Sequence, residues 1–527
     1  MVSKKRQQYS KSESATLHGD AVTLSPPHHI PNCGLSLTPV RHASKDIIET
    51  IKHQCECAPL SMGEYVESPR CLKAHKSHSF ETEWLLQKEA SNLAAFDVDV
   101  EDPTAAPVHA DDHHATSTVL GSMFTLTNTI LGSGTLAVPF AIASSGWLLG
   151  NAIMLAIAMI TRYSVFLLLS ASDRAGVNCA KTYESLGHYT MGKFGTMLAE
   201  FTFIFGGFGT LVSYFIFITD LFSIVFAVRA AKKWIVTVVC TAFVVLPLSL
   251  NRKIGKLRLA SVMAILSITY VVIFVWIACV VAYNNKSSTV EFGKVEAVRF
   301  EPGSVYTVTL LIAAFACHNT ALPVYDELRD RSISRMNKAV VGAIAIAFIL
   351  YETIGLCGYL QFGRDTKDNI LLNFSPEYVS ANPSIKFPLL LGRTAMAVAL
   401  LLTTPIAMWP FRSCILSVFL RIKNDGVQTP SSAATRREYT IVTIVSQTLI
   451  LFCSIFVPSV KIPLSIVGSV SGSLLIFIMP SLFYLLQSPH PIVSRPNIGP
   501  LCMFGAGLCV GTLGLSLTLY KLVRDHF

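Results

Sequence analysis

Apolar runs of about 20 residues recur along the chain from residue 117 onward, separated by short polar or charged segments. An α-helix needs about 20 apolar residues to cross a bilayer, whereas a barrel strand alternates over about ten. The runs therefore predict an all-α membrane protein with eleven transmembrane helices, called spans 1 to 11. They lie at residues 117–141, 146–171, 196–227, 233–250, 257–283, 304–325, 337–360, 386–411, 438–458, 462–487 and 498–520.

The first 115 residues have a different pattern. They mix charged residues, serines and prolines, contain few aromatics and sustain no apolar periodicity. Such a segment buries too little apolar surface to offset its chain entropy. We therefore predict a disordered cytoplasmic tail at residues 1–115 and a transmembrane domain at residues 116–527. Within the tail, the stretch from Glu81 to Ala95 predicts an amphipathic helix on the membrane surface, and the alternative is that Glu81 to Leu86 is an acidic dileucine signal for a sorting adaptor.

Composition agrees with this class of protein. Only 14% of the residues are charged, 52% are hydrophobic and the mean hydropathy is +0.52. A soluble domain carries about 25% charged residues, so the bilayer is needed as an apolar solvent. An enzyme is not expected, because the sequence contains no nucleophile elbow, HExxH motif or P-loop. The cysteine and histidine spacing in the tail matches no zinc module, so no metal site is predicted.

The basic residues predict the orientation. They concentrate in the loops after spans 4, 6 and 8, at residues 251–258, 329–338 and 412–437. Positive loops face the cytoplasm, which places the N-terminus there and explains the net charge of +9 without nucleic acid. The opposite loops contain acceptor sequons at Asn285 and Asn373, which are candidate glycosylation sites. The membrane is either the plasma membrane or, if the dileucine signal is used, a lysosomal or vacuolar one.

Two spans contain sequences that interrupt a helix. Span 1 contains Gly132-Ser133-Gly134, and glycine costs roughly 1 kcal/mol against alanine inside a helix. Span 6 contains residues 316–319, Ala-Cys-His-Asn, shortly before Pro323. Paired interruptions five spans apart indicate a transporter built from inverted repeats, with its binding site at the breaks. The alternative for span 1 is that the glycines permit close helix packing.

A family resemblance appears at these breaks. Residues 128–135, Asn-Thr-Ile-Leu-Gly-Ser-Gly-Thr, resemble the span-1 signature of the amino acid/auxin permease family, particularly its sodium-coupled neutral amino acid transporter branch. Further matches follow in spans 6, 7 and 8, at residues 315–318, 322–328, 358–363, 402–406 and 409–413. The resemblance covers residues 115–525. It implies a LeuT-type 5+5 inverted repeat plus one extra C-terminal helix, and a cytoplasmic N-terminus.

The function that follows is secondary active transport of amino acids by alternating access. The alternative is an amino-acid sensor that signals through its tail; a channel is a lesser option, because no filter-like repeat is visible. An amino acid brings two charges that need partners in low dielectric. The backbone amides of residues 131–135 would bind its carboxylate and carbonyls at residues 316–319 its ammonium. The candidate substrate-binding residues are Leu131, Gly132, Ser133, Gly134, Thr135, Phe315 (as one wall), Ala316 and Asn319.

No cofactor is expected. Transport is expected to be coupled to an ion, either Na⁺ or H⁺. The resemblance places sodium ligands at Asn128 in span 1 and Thr403 in span 8, and Thr404 is an adjacent candidate. Neutral amide and hydroxyl oxygens suit a monovalent ion that must leave again. The alternative is that Thr403 only donates a hydrogen bond within its own helix.

Ionisable residues inside spans are candidates for a proton relay, because their burial is costly. They are Glu352, Asp220 and His318. The two carboxylates could instead pair with a buried arginine such as Arg393, and the histidine could be a hydrogen-bonded wall residue. A monomer is expected, since one chain completes its own site. The amino acid carried is not predicted, because side-chain selectivity depends on pocket volume.

Overall fold

The computed structural model describes residues 117–176, 181–250, 258–284, 295–424 and 431–526. Predictions for the tail at residues 1–115, its segment from Glu81 to Leu86 and the sequon at Asn285 lie outside these ranges. Within them the secondary structure is helical, apart from one isolated bridge between Ser117 and Leu328. The prediction of an all-α membrane protein is confirmed.

The described helices follow the predicted spans closely. Three of the predicted spans contain a segment that is not α-helical. The segments are the 3₁₀ turn Ser133–Ala137 in span 1, and the π-helical segments Thr241–Val245 in span 4 and Gly468–Ile478 in span 10. The α-helices are α1 (Val119–Ile130), α2 (Val138–Ser145), α3 (Trp147–Ala175), α4 (Tyr183–Val225), α5 (Lys233–Cys240), α6 (Leu246–Ser249), α7 (Arg258–Asn284), α8 (Val305–Ala314), α9 (His318–Asp326), α10 (Ile333–Phe362), α11 (Pro376–Ala381), α12 (Lys386–Lys423), α13 (Arg436–Phe456), α14 (Lys461–Val467), α15 (Met479–Leu486) and α16 (Ile498–His526).

In the described ranges, nine helical segments are long and apolar enough to cross a membrane, or ten if the two bent halves of span 1 count as one. Those halves, Val119–Ile130 and Ser133–Ser145, meet at 49°. The shorter apolar segment Lys233–Ser249 occupies predicted span 4. A multi-pass helical membrane protein is therefore confirmed. The count of eleven and the 5+5 repeat remain predictions, because span 4 is shorter than the usual crossing length of about 20 residues.

Eight of the spans pack in two groups around one continuous apolar core, and span 10 packs on both groups. In the first group α10 packs against α1, α2 and α3, and α8 packs against α2, so spans 1, 2, 6 and 7 lie together. In the second group α4 packs against α5, α12 and α13, so spans 3, 4, 8 and 9 lie together. Helix α7 contacts both groups, through α10 on one side and α12 on the other. Span 5 is thus a physical link between the two groups.

A buried ion pair holds α4 to α12 in the second group. The Arg421 guanidinium donates to both carboxylate oxygens of Glu200, at 3.0 and 2.5 Å. The Glu200 side chain is only 5% exposed and that of Arg421 is 17% exposed. Desolvation makes such a pair a weak source of net stability, but the loss of one partner leaves an uncompensated buried charge.

We therefore expect Glu200→Ala to lower the free energy of unfolding by about 3–5 kcal/mol, the usual effect of breaking a buried pair. The measurement is the thermal unfolding midpoint of the purified chain in detergent. Arg335→Ala is the control, because Arg335 forms an ion pair with Asp330 that is exposed to solvent. Such a pair contributes about 0–1 kcal/mol to the free energy of unfolding. Equal shifts in the two variants would contradict the prediction.

Candidate functional site

Span 1 breaks where its glycines lie. Helix α1 ends at Ile130, and Gly132 has an extended conformation with φ −108° and ψ −156° before the turn Ser133–Ala137 begins. Three amides of this stretch already have partners, since Leu131 donates to Thr127, Gly132 to Ile130 and Thr135 to Gly132. The amides of the intervening residues, Ser133 and Gly134, are the donors that an incoming carboxylate would meet first.

Span 6 has the matching interruption. Helix α8 ends at Ala314 and α9 begins at His318, with the non-helical residues 315–317 between them. The carbonyl of Cys317 accepts from both the amide and the hydroxyl of Thr320. Ala316 is half-buried. Within the described residues the buried Oδ1 atom of Asn319 has no hydrogen-bond partner, so it is an acceptor still available to a ligand.

The two breaks touch each other. A Cβ atom added at Gly134 would lie 3.2 Å from both Cα and Cβ of Ala314, tighter than an ordinary van der Waals contact. Helix α8 also packs along the turn Ser133–Ala137 and α2. Any side chain at position 134 would therefore push against Ala314, and glycine allows this close approach without displacing it. The break and the close packing, which are alternatives at the level of sequence, occur together.

Tyr351 of α10 joins the ends of both first half-helices. Its hydroxyl lies 2.6 Å from the carbonyl oxygen of Ile130 and 3.2 Å from that of Ala314, so it serves both acceptors. Its ring stands edge-on against Phe315, with centroids 5.2 Å apart and an interplanar angle of 88°. The side chain is fully buried. Phe315 accordingly lies at the breaks, where the sequence predicted a wall.

Tyr214 of α4 approaches the break from the second group. Its hydroxyl oxygen lies 3.4 Å from the position that a Cβ of Gly132 would occupy. Thr135 is buried and donates its hydroxyl to the Gly132 carbonyl. Neither Tyr214 nor Tyr351 was among the predicted site residues. A tyrosine in an apolar run gives no sequence signal that distinguishes a site residue from an ordinary core residue.

The candidate sodium ligands lie in different groups of spans. Asn128 is half-buried on α1, while Thr403 and Thr404 are on α12. Each threonine hydroxyl donates within its own helix, Thr403 to Ala399 at 2.9 Å and Thr404 to Leu400 at 2.7 Å. No hydrogen bond among the described residues joins Asn128 to either threonine. Each threonine hydroxyl donates its one hydrogen to a backbone carbonyl, so the lone pairs of its oxygen can still bind a cation.

Glu352 is the candidate relay residue without a cationic partner in the described part of the chain. Its Oε1 atom accepts from the Asn151 amide at 2.8 Å, and its buried Oε2 atom has no hydrogen-bond partner there. Arg393, the alternative partner, donates instead to the carbonyls of Leu371 and Phe374. One oxygen of Glu352 is therefore placed to carry a proton, which stays a prediction.

The other two relay candidates have partners. Asp220 forms an ion pair with Lys233 at 3.1 Å, between the end of α4 and the start of α5. His318 is fully buried, and its Nε2 atom lies 2.8 Å from the Ser164 hydroxyl. Because that hydroxyl donates to the Ile476 carbonyl, Nε2 must carry the imidazole hydrogen. The histidine thus links spans 2, 6 and 10 as a wall residue would, and its relay role stays a prediction.

The second sequon lies in the loop opposite Ser117. The Asn373 Nδ2 atom, which a glycan would occupy, donates to the Asp365 carbonyl at 2.8 Å. Its Oδ1 atom accepts from the Lys367 amide at 2.9 Å. Both atoms of the side chain therefore stabilise the loop. Glycosylation at Asn373 remains a prediction, and it would require loss of the hydrogen bond from Nδ2.

We expect Tyr351→Phe to weaken binding of an amino acid about tenfold, because the substitution removes the hydrogen bond that aligns the two half-helices. A buried hydrogen bond contributes about 1.4 kcal/mol, which corresponds to a tenfold change in affinity. The measurement is equilibrium binding of radiolabelled amino acids to the purified chain. Tyr439→Phe is the control, since Tyr439 is also buried and donates to the Ser249 carbonyl at 3.3 Å, within the second group of spans. Both variants should lower the unfolding midpoint, but only Tyr351→Phe should weaken binding. Equal affinity loss in both would contradict a specific role.

Comparison with known proteins shows to which family the chain belongs. A family model described as "Transmembrane amino acid transporter protein" matches residues 115–521. A similar relative is the sodium-coupled neutral amino acid symporter 2 of Danio rerio, which is 27% identical over 432 residues, covering 77% of this chain and 82% of the relative. Both descriptions are of transporters rather than enzymes. With a family match over most of its length, the chain belongs to the transmembrane amino acid transporter family.

Proposed function

We propose that this chain carries amino acids by alternating access, with the substrate held where the breaks of spans 1 and 6 meet. The observation that supports this site most directly is the hydroxyl of Tyr351, bound to the carbonyls at the ends of α1 and α8. The amides of Ser133 and Gly134 lie at the start of a helical turn, where the helix dipole favours a carboxylate. The Oδ1 atom of Asn319 and the span-6 carbonyls would receive the ammonium.

Alternating access needs contacts at the ends of the bundle that can form and break. A cluster of polar side chains, which we call the latch, supplies such contacts at one end. We name the end of the bundle at Ser117 the tail face. There Asp173 accepts from the Tyr325 hydroxyl at 2.8 Å and pairs with Arg331 at 3.4 Å. Asp326 pairs with Lys181 at 3.3 Å and with Arg331 at 3.6 Å. These residues lie at the ends of spans 2 and 6 and the starts of spans 3 and 7, so the latch closes this end.

The backbone closes the same end. The Ser117 amide donates to the Glu327 carbonyl at 3.0 Å, and the Arg329 amide donates to the Ser117 carbonyl at 2.9 Å. The start of span 1 is thereby tied to the loop after span 6. In the ion pairs of the latch the carboxylates of Asp173 and Asp326 are 39% and 28% exposed, against 5% for Glu200, so these pairs are less costly to break than the buried Glu200–Arg421 pair. A latch of this strength can open when substrate binding favours the other state.

Polar contacts also join segments at the opposite face. Arg299 pairs with Glu296 at 3.1 Å and with Glu301 at 3.4 Å, and it donates to the Ala143 carbonyl near the end of α2. Arg364, just after α10, also pairs with Glu296. Substrate at the breaks would therefore leave through either face only after surface ion pairs open. The positive loops favour a cytoplasmic tail face.

Sodium is the coupling ion that we propose, bound between Asn128 and the pair Thr403 and Thr404. The relative from Danio rerio is named as sodium-coupled. The ligands belong to different groups of spans, so an ion that bound both would favour one arrangement of the groups over the other. The unpartnered Oε2 atom of Glu352 supports proton coupling as the second candidate.

Gly134→Val should abolish uptake while leaving expression at the membrane intact, because the added atoms meet the backbone of Ala314 at 3.2 Å or closer. The measurement is uptake of radiolabelled amino acids into proteoliposomes, corrected for reconstituted protein. Gly505→Val is the matched control, since nothing lies within 4 Å of a Cβ at that position. Normal uptake by Gly134→Val would remove the proposed site.

Uptake should depend on a Na⁺ gradient and fall more than tenfold in Asn128→Ala and Thr403→Val, because a lost ligand leaves the ion underbound. The assay is proteoliposome uptake with and without a Na⁺ gradient, and with a pH gradient. Thr394→Val is the matched control, since Thr394 lies on the same helix and donates to Leu390 at 2.8 Å in the same geometry.

The same assay separates the alternatives. Uptake driven by a pH gradient and lost in Glu352→Gln would retain the transporter and replace sodium by a proton. No uptake of any amino acid by folded protein would favour the sensor, in which the tail signals the state of the pocket. The full chain is used throughout, so the tail is present in each measurement.

A further inference from the structure

Two side chains that touch between spans 2 and 7 each keep an oxygen without a partner. The Asn151 amide of α3 donates from Nδ2 to the Oε1 atom of Glu352 on α10, at 2.8 Å. The remaining oxygens, Oδ1 of Asn151 and Oε2 of Glu352, are buried and have no hydrogen-bond partner among the described residues. We propose that Oε2 binds one proton and donates it to Oδ1, so that the acid and the amide form a closed pair with two hydrogen bonds.

A charged carboxylate would be poorly compensated at this position. Glu352 is ten positions before the end of α10 at Phe362, which is about 15 Å at 1.5 Å per residue. In the described chain, the Asn151 amide is the one hydrogen-bond donor to its carboxylate. An ionised carboxylate in low dielectric needs a cation or several donors, whereas a neutral acid needs one acceptor. A single proton removes the charge and gives both remaining oxygens a partner.

In the described ranges, the helices around Glu352 supply no cation to it. Helix α10 packs against α1, α2, α3 and α7, and neither α1 nor α2 contains a charged residue. The closest charge along either helix of the pair is Arg162, eleven positions after Asn151 and about 16 Å further along α3. No hydrogen bond or ion pair joins Glu352 to any charged residue of these elements. The charged residues of α3, α7, α10 and the turn after α10, apart from Glu352, are Arg162, Asp173, Arg174, Arg258, Arg335, Lys338, Arg364 and Asp365.

The other titratable side chains of these helices are tyrosines and cysteines, which carry no charge at neutral pH. They are Tyr163, Tyr270, Cys279, Tyr283, Tyr351, Cys357 and Tyr359. The hydroxyl of Tyr351, the neighbour of Glu352 in the chain, is bound to the carbonyls at the two breaks. Glu352 is therefore left with the Asn151 amide as its polar contact.

The proton makes this pair sensitive to pH. When Oε2 is ionised, it and Oδ1 are both acceptors, and no hydrogen bond can join them. In the unfolded chain a glutamate is exposed to water and ionises above about pH 4.3. The folded chain then holds one proton more than the unfolded chain at neutral pH, so this contribution to the free energy of unfolding falls as the pH rises. The site lies within the first group of spans and is the same whichever ion drives transport.

The first measurement is the infrared spectrum of the full chain in proteoliposomes at neutral pH, in H2O and in D2O. We expect the C=O stretching band of a protonated carboxylic acid, which shifts in D2O because its hydrogen exchanges. The band should be absent in Glu352→Gln. It should remain in Asp220→Asn, the matched control, because the Asp220 carboxylate is paired with Lys233 at 3.1 Å.

Substitution of Asn151 tests the positioning of the acid in the same spectra. In Asn151→Leu the band should remain at a different frequency, since Oε1 no longer accepts a hydrogen bond. Asn151→Ala replaces this variant if leucine impairs folding. An unchanged frequency in a folded Asn151 variant would contradict the closed pair.

The second measurement is the thermal unfolding midpoint of the full chain in detergent as a function of pH. In Glu352→Gln the new amide supplies the hydrogen that the proton supplies in the wild-type chain, so the closed pair should persist without titrating. Between about pH 6 and 8, where an exposed glutamate is ionised, we expect the wild-type midpoint to fall relative to that of Glu352→Gln. The series is repeated with and without Na⁺, and the difference between the two chains should stay the same.

Three further results would overturn the protonated pair. The first is absence of the acid band from the wild-type chain, and the second is an unchanged band in Glu352→Gln. The third is a midpoint difference that follows Na⁺ instead of pH, which would place a sodium ion on the two oxygens. Failure of the proposed function looks different, because folded protein would then show no uptake while the acid band and the pH dependence remained.

Discussion

The hydrogen bond from Tyr351 to two broken helices is the interaction on which the candidate site depends. A membrane offers no water to an unpaired backbone carbonyl, so a broken helix persists only if protein groups satisfy its ends. The carbonyls of Ile130 and Ala314 share one hydroxyl, and the ring that carries it packs on Phe315. Gly134 lets the breaks approach closely enough for this sharing. The irregular backbone of spans 1 and 6 is thereby stabilised while the amides and acceptors between them stay available.

The charges of the chain divide between a fixed role and a movable one. The Glu200–Arg421 pair is buried within the second group, where loss of one partner is costly, so it keeps α4 and α12 together. The latch around Asp173 and Arg331 joins the ends of several spans, and its carboxylates are 28–39% exposed against 5% for Glu200, so each of its pairs is less costly to break. Buried pairs therefore favour rigid groups, and exposed pairs permit the groups to change contacts. Alternating access requires both properties in one molecule.

Much of the fold could be predicted because a bilayer requires it of the sequence. The apolar runs predicted helices that the structure contains, including the short span 4 at Lys233–Ser249, and the Gly132-Ser133-Gly134 stretch predicted the break in span 1. The site could be predicted only in part. Tyr351 and Tyr214 gave no signal, since an aromatic residue in an apolar run is usually core. Arg393, expected beside a carboxylate, instead donates to the carbonyls of Leu371 and Phe374.

Sequence alone determined the class of the molecule, the helical spans and the places where two of them break, because solvent polarity and backbone propensity act locally along the chain. Tertiary structure decided which atoms meet. It brought Tyr351 to both breaks and left Glu352 without a cation among the described residues. Such contacts join residues that are distant in the chain. They depend on the rotation and depth of each packed helix, which apolar periodicity leaves open.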